Sequence, residues 1–147
     1  MKKILAIGND HAGTELKNKI IEKFKDEVDF IDCGTNTKDS VDYADYSRKV
    51  CSLILNKKVE SGILICGTGL GISISANRNK GIRAALCFHS QMARLARQHN
   101  DANIICFGAR MLGEDVIFES IQTFLKTDFE GGRHLKRIEK IETEKIN

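Results

Sequence analysis

The chain has 147 residues, enough for one domain that buries about two-thirds of the surface its unfolded chain would expose. Hydrophobic residues make up 41% and charged residues 29%, and 23 basic against 20 acidic side chains leave a net charge of +3. That mild balance, with no block of like charges, excludes a polybasic nucleic-acid arm. The longest uncharged stretch, 61–77, is too short and too polar for a membrane helix, which needs ~20 apolar residues.

Proline is absent, so glycine, asparagine and aspartate must make the turns. Residues 3–8 form a short apolar run that meets Asn9, Asp10 and His11, which is too early for a signal peptide and right for a buried strand with a polar turn after it. A helix is predicted over 13–24, where Leu16, Ile20, Ile21 and Phe24 recur at helical spacing. Then come a strand over 28–33 and a helix over 43–56 with Val50, Leu53 and Ile54 on one face. The alternation continues through strand 62–66, helix 69–77, strand 82–87, helix 90–98, strand 103–108 and helix 114–126. A last helix and tail over 135–146 puts Ile138 and Ile141 on one side. Five β-then-α units predict an α/β, three-layer, Rossmann-like fold: a five-stranded parallel sheet, helices on both faces and a C-terminal helix, all in one domain over 1–147.

In such sheets ligands bind beyond the carboxyl ends of the strands, and that rule gathers the polar residues into a candidate site. The sharpest segment is ICGTGLGIS, 65–73, where a strand ends and a helix opens. Gly67, Gly69 and Gly71 would let backbone amides approach a ligand, and the helix N-terminus favours negative charge. The spacing is not that of a dinucleotide fingerprint, a Walker loop or a cysteine phosphatase loop; tight helix-on-strand packing is the plain alternative. Cys66 could be ordinary core filler, yet a thiol at a helix N-terminus is favoured as thiolate, which suits a base that removes a carbon-bound proton. The neighbouring amides would then hold enediolate oxygens. The five cysteines, at 33, 51, 66, 87 and 106, show no C-x-x-C pair and no zinc spacing, and read as reduced thiols of a cytoplasmic protein. Asp10 reads equally as a helix N-cap and His11 as a structural histidine, while His99-Asn100 reads as a polar loop between the fourth helix and the fifth strand. Arg133 and Arg137, one helical turn apart, and Arg110 would be solvated surface or a phosphate clamp. His89 and His134 read as surface residues.

Several of these motifs together resemble the type B ribose-5-phosphate isomerases. They are Asn-Asp-His-Ala-Gly at 9–13, Asp-Cys-Gly-Thr at 32–35, Asp-Tyr-Ala-Asp-Tyr at 42–46 and Ile-Leu-Ile-Cys-Gly-Thr-Gly-Leu-Gly-Ile-Ser at 63–73. Gly-Ile-Arg-Ala-Ala at 81–85, Arg-Gln-His-Asn-Asp-Ala-Asn at 97–103 and Glu-Gly-Gly-Arg-His at 130–134 complete the set, in matching order over nearly the whole chain. The wider family includes galactose-6-phosphate isomerase subunits and allose-6-phosphate isomerases.

The resemblance implies interconversion of ribose 5-phosphate and ribulose 5-phosphate through a cis-enediolate, a step of the pentose phosphate pathway, with no metal or organic cofactor. It implies that Cys66 is the base, that Thr68 and the amides of Gly67, Gly69, Leu70 and Gly71 steady the intermediate, and that His99 is the acid opening the furanose ring. Asp10 would meet the sugar hydroxyls and Asn100 a substrate oxygen; His11, Arg110, Arg133 and Arg137 would hold the phosphate, and Tyr43 would line the pocket. Homodimers or dimers of dimers, with sites at the subunit interface, are implied as well; no nucleic acid or membrane partner is. The sequence departs from the family at Ala44, where proline is usual, loosening the turn before the second helix without removing a chemical group. Some members use a glutamate base; Cys66 puts this chain with the cysteine type. A hexose-phosphate isomerase, a silent sugar-phosphate- or nucleotide-binding module and a thiol redox protein are the alternative readings.

Overall fold

The computed structural model describes residues 1–143 and 146. Its elements alternate as the pattern predicts: β1 (Lys3–Asn9), a 3₁₀ turn (His11–Gly13), α1 (Thr14–Phe24), β2 (Val28–Asp32), α2 (Tyr43–Leu55), β3 (Ser61–Cys66) and α3 (Leu70–Asn77). Then follow β4 (Ala84–Leu86), α4 (Ser90–Asn100), β5 (Ile104–Gly108), α5 (Glu114–Lys126) and α6 (Arg133–Ile141). The five strands are parallel, in the order β2-β1-β3-β5-β4.

That order and the right-handedness of β-α-β crossovers decide which face each helix covers. Chain steps toward β2, and back from β4 to β5, put α1 and α4 on one face; steps the other way put α2 and α3 on the opposite face. Strand alternation supplies a core to each. Leu5, Ile7, Ile63, Ile65, Ile105 and Phe107 pack with Ile20, Phe24, Ala93, Ile117 and Ile121 under α1, α4 and α5. Their neighbours in the strands, Ala6, Leu64, Cys66, Ile104 and Cys106, pack with Val50, Ile54, Ile72 and Ala76 under α2 and α3. Because both faces are covered, the central strands are apolar along their whole middle, with Lys3, Asn9 and Ser61 only at strand ends.

Three boundaries depart from the sequence pattern. The fourth helix runs on to Asn100 and stops only where Asp101 turns left-handed at φ 45°, so His99 and Asn100 lie in its last turn, not in a loop. β4 shrinks to Ala84–Leu86, because Gly81 turns at φ 88° and the Ile82 N–H closes back on the Asn79 carbonyl. The final helix begins at Arg133 and ends at Ile141; of the longer predicted span and tail, residues 144, 145 and 147 lie outside the described residues. Ala44 sits inside the first turn of α2 rather than before it, a place where proline is tolerated because the N–H there has no intrahelical partner.

One buried residue broke the apolar pattern without notice. Lys17 is fully buried on α1, and its ammonium meets the Asp32 carboxylate at 3.1 Å, the Thr35 carbonyl at 2.7 Å and Asn36 Oδ1 at 2.6 Å. All three ammonium donors are used, and the chain from β2 into the 33–37 loop is anchored on them. Lys17→Met should cost about 1–3 kcal/mol, chiefly from leaving the buried Thr35 carbonyl without its donor, since Asp32 and Asn36 can turn to solvent. Urea unfolding would check this, and a midpoint equal to wild type would show the anchor to be idle.

Candidate active site

The order of strands reverses between β1 and β3, and the crevice of a parallel sheet opens at the carboxyl end of such a pair. Asn9 of β1 pairs with Ile65 of β3 there, and the Asp10 N–H donates to the Ile65 carbonyl at 3.1 Å. Cys66 closes β3 on the α2/α3 side. Its sulfur, buried at 4% exposure, accepts the Gly69 N–H at 3.1 Å. Gly69 can aim that N–H backward because it sits at φ 79°, as the N-cap of α3. A β-carbon at Gly69 would lie 2.5 Å from Leu86 Cδ1 and 2.9 Å from the Phe107 carbonyl carbon, so both the conformation and the space require glycine. Thr68 is exposed at the lip of the turn, and its Oγ1 accepts the Leu70 N–H at 3.2 Å.

Around the turn stand the other residues that follow strands. Asp10 is nearly buried, and its Oδ1 accepts the Ala12 N–H at 2.9 Å, so it does cap the 3₁₀ turn. His11 Nδ1 accepts the Val41 N–H at 3.2 Å; a backbone N–H can only donate, so in the neutral ring Nε2 carries the proton and is left as a donor. The Tyr43 ring lies on Gly71, where a β-carbon would come within 2.5 Å of Cζ. Arg110 is exposed, its N–H donates to the Gly67 carbonyl at 3.0 Å, and its Nη1 lies 3.0 Å from where a Gly67 β-carbon would stand. Asp10, His11, Tyr43, Cys66, Thr68, the 67–71 backbone and Arg110 thus share one edge of the sheet.

His99, Asn100, Arg133 and Arg137 share another place. The α4 chain runs back against the strands, so its last turn lies where β5 begins. In the β3–β5 register Ile104 pairs with Gly62 and Gly108 with Cys66, so that row is about 13 Å below the thiol at ~3.3 Å per residue. The Glu130 N–H donates to the Gln98 carbonyl at 3.1 Å, seating the start of α6 on the end of α4. One chain therefore does not bring its histidine and late arginines to its own Cys66; they lie at the opposite edge and under the opposite face.

His134 corrects the surface reading. It is buried at 4% exposure and stacks on His99, with ring centroids 4.4 Å apart and planes 15° from parallel. The signal was present in the spacing, since His134 precedes the buried Ile138 by one helical turn. His134 Nε2 is 3.3 Å from Glu130 Oε2, although the angle makes no hydrogen bond. Donor atoms of His99, Glu130 and His134 lie within 4.8 Å of one another, the one such grouping among the described residues. Near-parallel rings hold their in-plane lone pairs side by side instead of convergent, so the trio fits a propped imidazole better than a metal centre. His89, in contrast, is exposed as expected, its Nδ1 accepting the Met92 N–H at the start of α4.

The five thiols are all unpaired. Burial pushes Cys87 up to about 12 and Cys106 well above the usual thiol range; burial also raises Cys51, and burial with the Asp32 carboxylate raises Cys33. These four are held as neutral thiols near neutrality. A cleft of about 570 Å³ lies at the far edge of the sheet and includes Lys3, Arg83 and Arg97. Three of its cations are already engaged: Lys3 on the Leu125 carbonyl, Arg97 on Asp101 and the Thr127 carbonyl, and Arg83 on Asp101 and Glu142; Lys57 and Lys58 line it as well. It lies at the edge opposite the carboxyl ends of the strands, away from the glycine turn.

The sequence profile described as Ribose/Galactose Isomerase matches residues 5–141. The chain belongs to the ribose/galactose isomerase family. It is 44% identical to the ribose-5-phosphate isomerase B of Escherichia coli, over 96% of this chain and 95% of that one. Its fold is similar to a crystal structure of a ribose 5-phosphate isomerase from Thermotoga maritima, with TM-score 0.94 and 49% identity over 97% of this chain and 99% of that one. It is also similar to the ribose-5-phosphate isomerase B of Clostridium thermocellum, with TM-score 0.93 and 47% identity over 95% of each.

Within this family member the turn after β3 depends on a single glycine conformation. Gly69→Ala should destabilise the fold by about 2–4 kcal/mol, from the left-handed backbone and the forced contact with Leu86 and Phe107. A urea midpoint within error of wild type would show that the turn is not fixed by Gly69.

Proposed function

We propose that this protein interconverts ribose 5-phosphate and ribulose 5-phosphate, with Cys66 as the base. The observation that carries the reading is the Gly69 N–H directed at the Cys66 sulfur, 3.1 Å away, at the mouth of the β1–β3 crevice of a family member. A fixed backbone dipole at that distance stabilises negative charge on sulfur without reorganisation. The thiolate takes the proton from C2 of the open-chain aldose and the electron pair forms the C1–C2 double bond of a cis-enediolate as the C1 carbonyl oxygen takes up charge; the hydroxyl proton passes from O2 to O1, and the thiol returns its proton to C1 as the C2 carbonyl forms, giving the ketose and the thiolate. Thr68 and the amides of the 67–71 turn hold the two oxygens as charge moves between them. General acid–base catalysis of this kind contributes roughly 10²–10⁴-fold.

The remaining roles follow by position. Asp10, with one oxygen committed to its own turn, offers the other to sugar hydroxyls, and Tyr43 packed on Gly71 walls the pocket. His11 Nε2 and the Arg110 guanidinium face a phosphate. His99 protonates the ring oxygen as the furanose opens, Asn100 meets a substrate oxygen, and Arg133 and Arg137 complete the phosphate clamp. These last four reach the thiol only from a second chain, so the working unit we propose is a homodimer with each site shared. Leu70, Ile74 and Phe88, exposed at 54%, 63% and 45%, support this, because they leave apolar surface uncovered beside the glycine turn. No described helix is long and apolar enough to cross a membrane, and five unpaired thiols fit a reducing cytoplasm.

Cys66→Ala should keep the fold and lose kcat by at least about 10², measured in a coupled assay with ribose 5-phosphate and a chelator present. Near-normal turnover would remove Cys66 from its role. Mixing the inactive Cys66→Ala and His99→Asn proteins under conditions that exchange subunits should restore activity, because a mixed dimer then holds one site with neither lesion. Mixtures as inactive as their parents would place the base and the acid in the same chain.

A further inference from the structure

Arg83 is drawn into no role by the proposed reaction, yet its 17%-exposed side chain joins the ends of two helices. Its Nε donates to the Asn100 carbonyl at 2.8 Å and its Nη2 to the Asp101 carbonyl at 3.0 Å, both at the C-terminus of α4. Its Nη1 donates to Glu142 Oε1 at 2.8 Å, just past the C-terminus of α6, and the second oxygen of Glu142 accepts the Gly81 N–H at 2.7 Å. The Arg83 backbone is itself pinned, since its N–H donates to Asn103 Oδ1 at 2.8 Å and its carbonyl accepts the Asn103 N–H at 3.0 Å. A planar guanidinium presents donors in fixed directions, so three bonds of this kind set angles as well as distances. Free carbonyls at helix C-termini carry partial negative charge that a cation offsets.

We infer that Arg83 is a positioning residue: it locks the end of α4 to the end of α6 and so sets the spacing of His99 and Asn100 from Arg133 and Arg137, the half-site presented to the partner chain. The inference rests on the isomerase reading above. It has two arms with different kinetic meanings. The α4 arm bonds to the residue after His99 and governs where the ring-opening acid sits. The α6 arm runs through Glu142 to the helix that carries the phosphate arginines. Catalytic groups tolerate little displacement, with a shift of about 1 Å costing on the order of 10² in rate.

The test uses the full chain, ribose 5-phosphate, and the variants Glu142→Ala, Arg83→Lys and Arg83→Met, each checked for folding by circular dichroism. Glu142→Ala, which cuts the α6 arm and the bond to the Gly81 N–H but leaves the α4 arm whole, should raise KM several-fold with kcat within about two-fold of wild type, as expected when binding in ground and transition states is lost together. Arg83→Met should raise KM and also lower kcat by about ten-fold or more, because the acid moves as well. Arg83→Lys keeps a charge for Glu142 but not the fork on the α4 carbonyls, so it should restore KM while kcat stays low. A scaffold without positioning work would instead lower only the melting temperature, and folded Glu142→Ala and Arg83→Lys proteins with wild-type kcat and KM would overturn the inference. If Arg83→Met does not fold, those two variants decide it. A wild-type chain inactive on ribose 5-phosphate sinks the isomerase reading and this inference together; an active wild type with unaltered variants sinks the inference alone.

Discussion

Parallel strands impose the constraint from which the rest follows. Every segment leaving a strand emerges at one edge of the sheet, and every helix that feeds a strand ends at the other. Asp10, His11, the 67–71 turn and Arg110 leave β1, β3 and β5 and so meet around Cys66. His99 and Asn100 end the helix that feeds β5, and α6 is seated on that same turn. No side-chain rotation closes a gap of the sheet's own depth. The division of the candidate machinery into two groups is a property of the topology, and a second copy related by rotation is the economical way to join them.

The sequence was most informative where one physical demand acted alone. Strands covered on both faces must be apolar throughout, so β1, β3 and β5 were legible within a residue or so, and the helix faces followed from a spacing of three and four. The glycine turn was legible because few sequences need three alternate glycines at the mouth of a strand. Legibility failed where a residue answered to a partner far along the chain. Lys17 lies on the inner face of α1, and nothing local says that Asp32, Thr35 and Asn36 will meet its charge. His134 reads as a surface residue because no catalytic or binding motif surrounds it in the sequence, although its place one turn before Ile138 marks the inner face. The end of α4 was set too early, since a histidine-asparagine-aspartate run resembles a loop until Arg83 is seen holding the carbonyls of Asn100 and Asp101.

The cysteines show how far residue type falls short of role. Cys66 and Cys106 face the same core between β3 and β5 and α2 and α3, two positions of one layer. Burial without a compensating donor keeps Cys106 a neutral thiol. Cys66 is nearly as inaccessible, yet it stands at the strand's last residue, where the chain turns back and offers a main-chain N–H to the sulfur. The difference lies in the backbone that follows, a left-handed glycine opening a helix, and not in the surroundings of the side chain. That is also why the other four thiols carry no comparable argument for chemistry.

In the homodimer we propose, sharing a site between two chains would shift the burden of precision. When base and acid belong to one fold, its core fixes their separation; when they belong to two, each half must be rigid on its own before it meets the other. The half containing Cys66 gains that rigidity from strand pairing, from Gly34, where a β-carbon would fall on the Asn9 side chain, and from Gly108 packed on the Thr68 backbone. The half containing His99 sits on two helix ends, where fraying is the normal expectation. It is held by a stacked histidine from below and by a guanidinium that spans both ends. If, as we propose, that terminus presents a proton donor to another molecule, such bonds answer a need that the core does not supply.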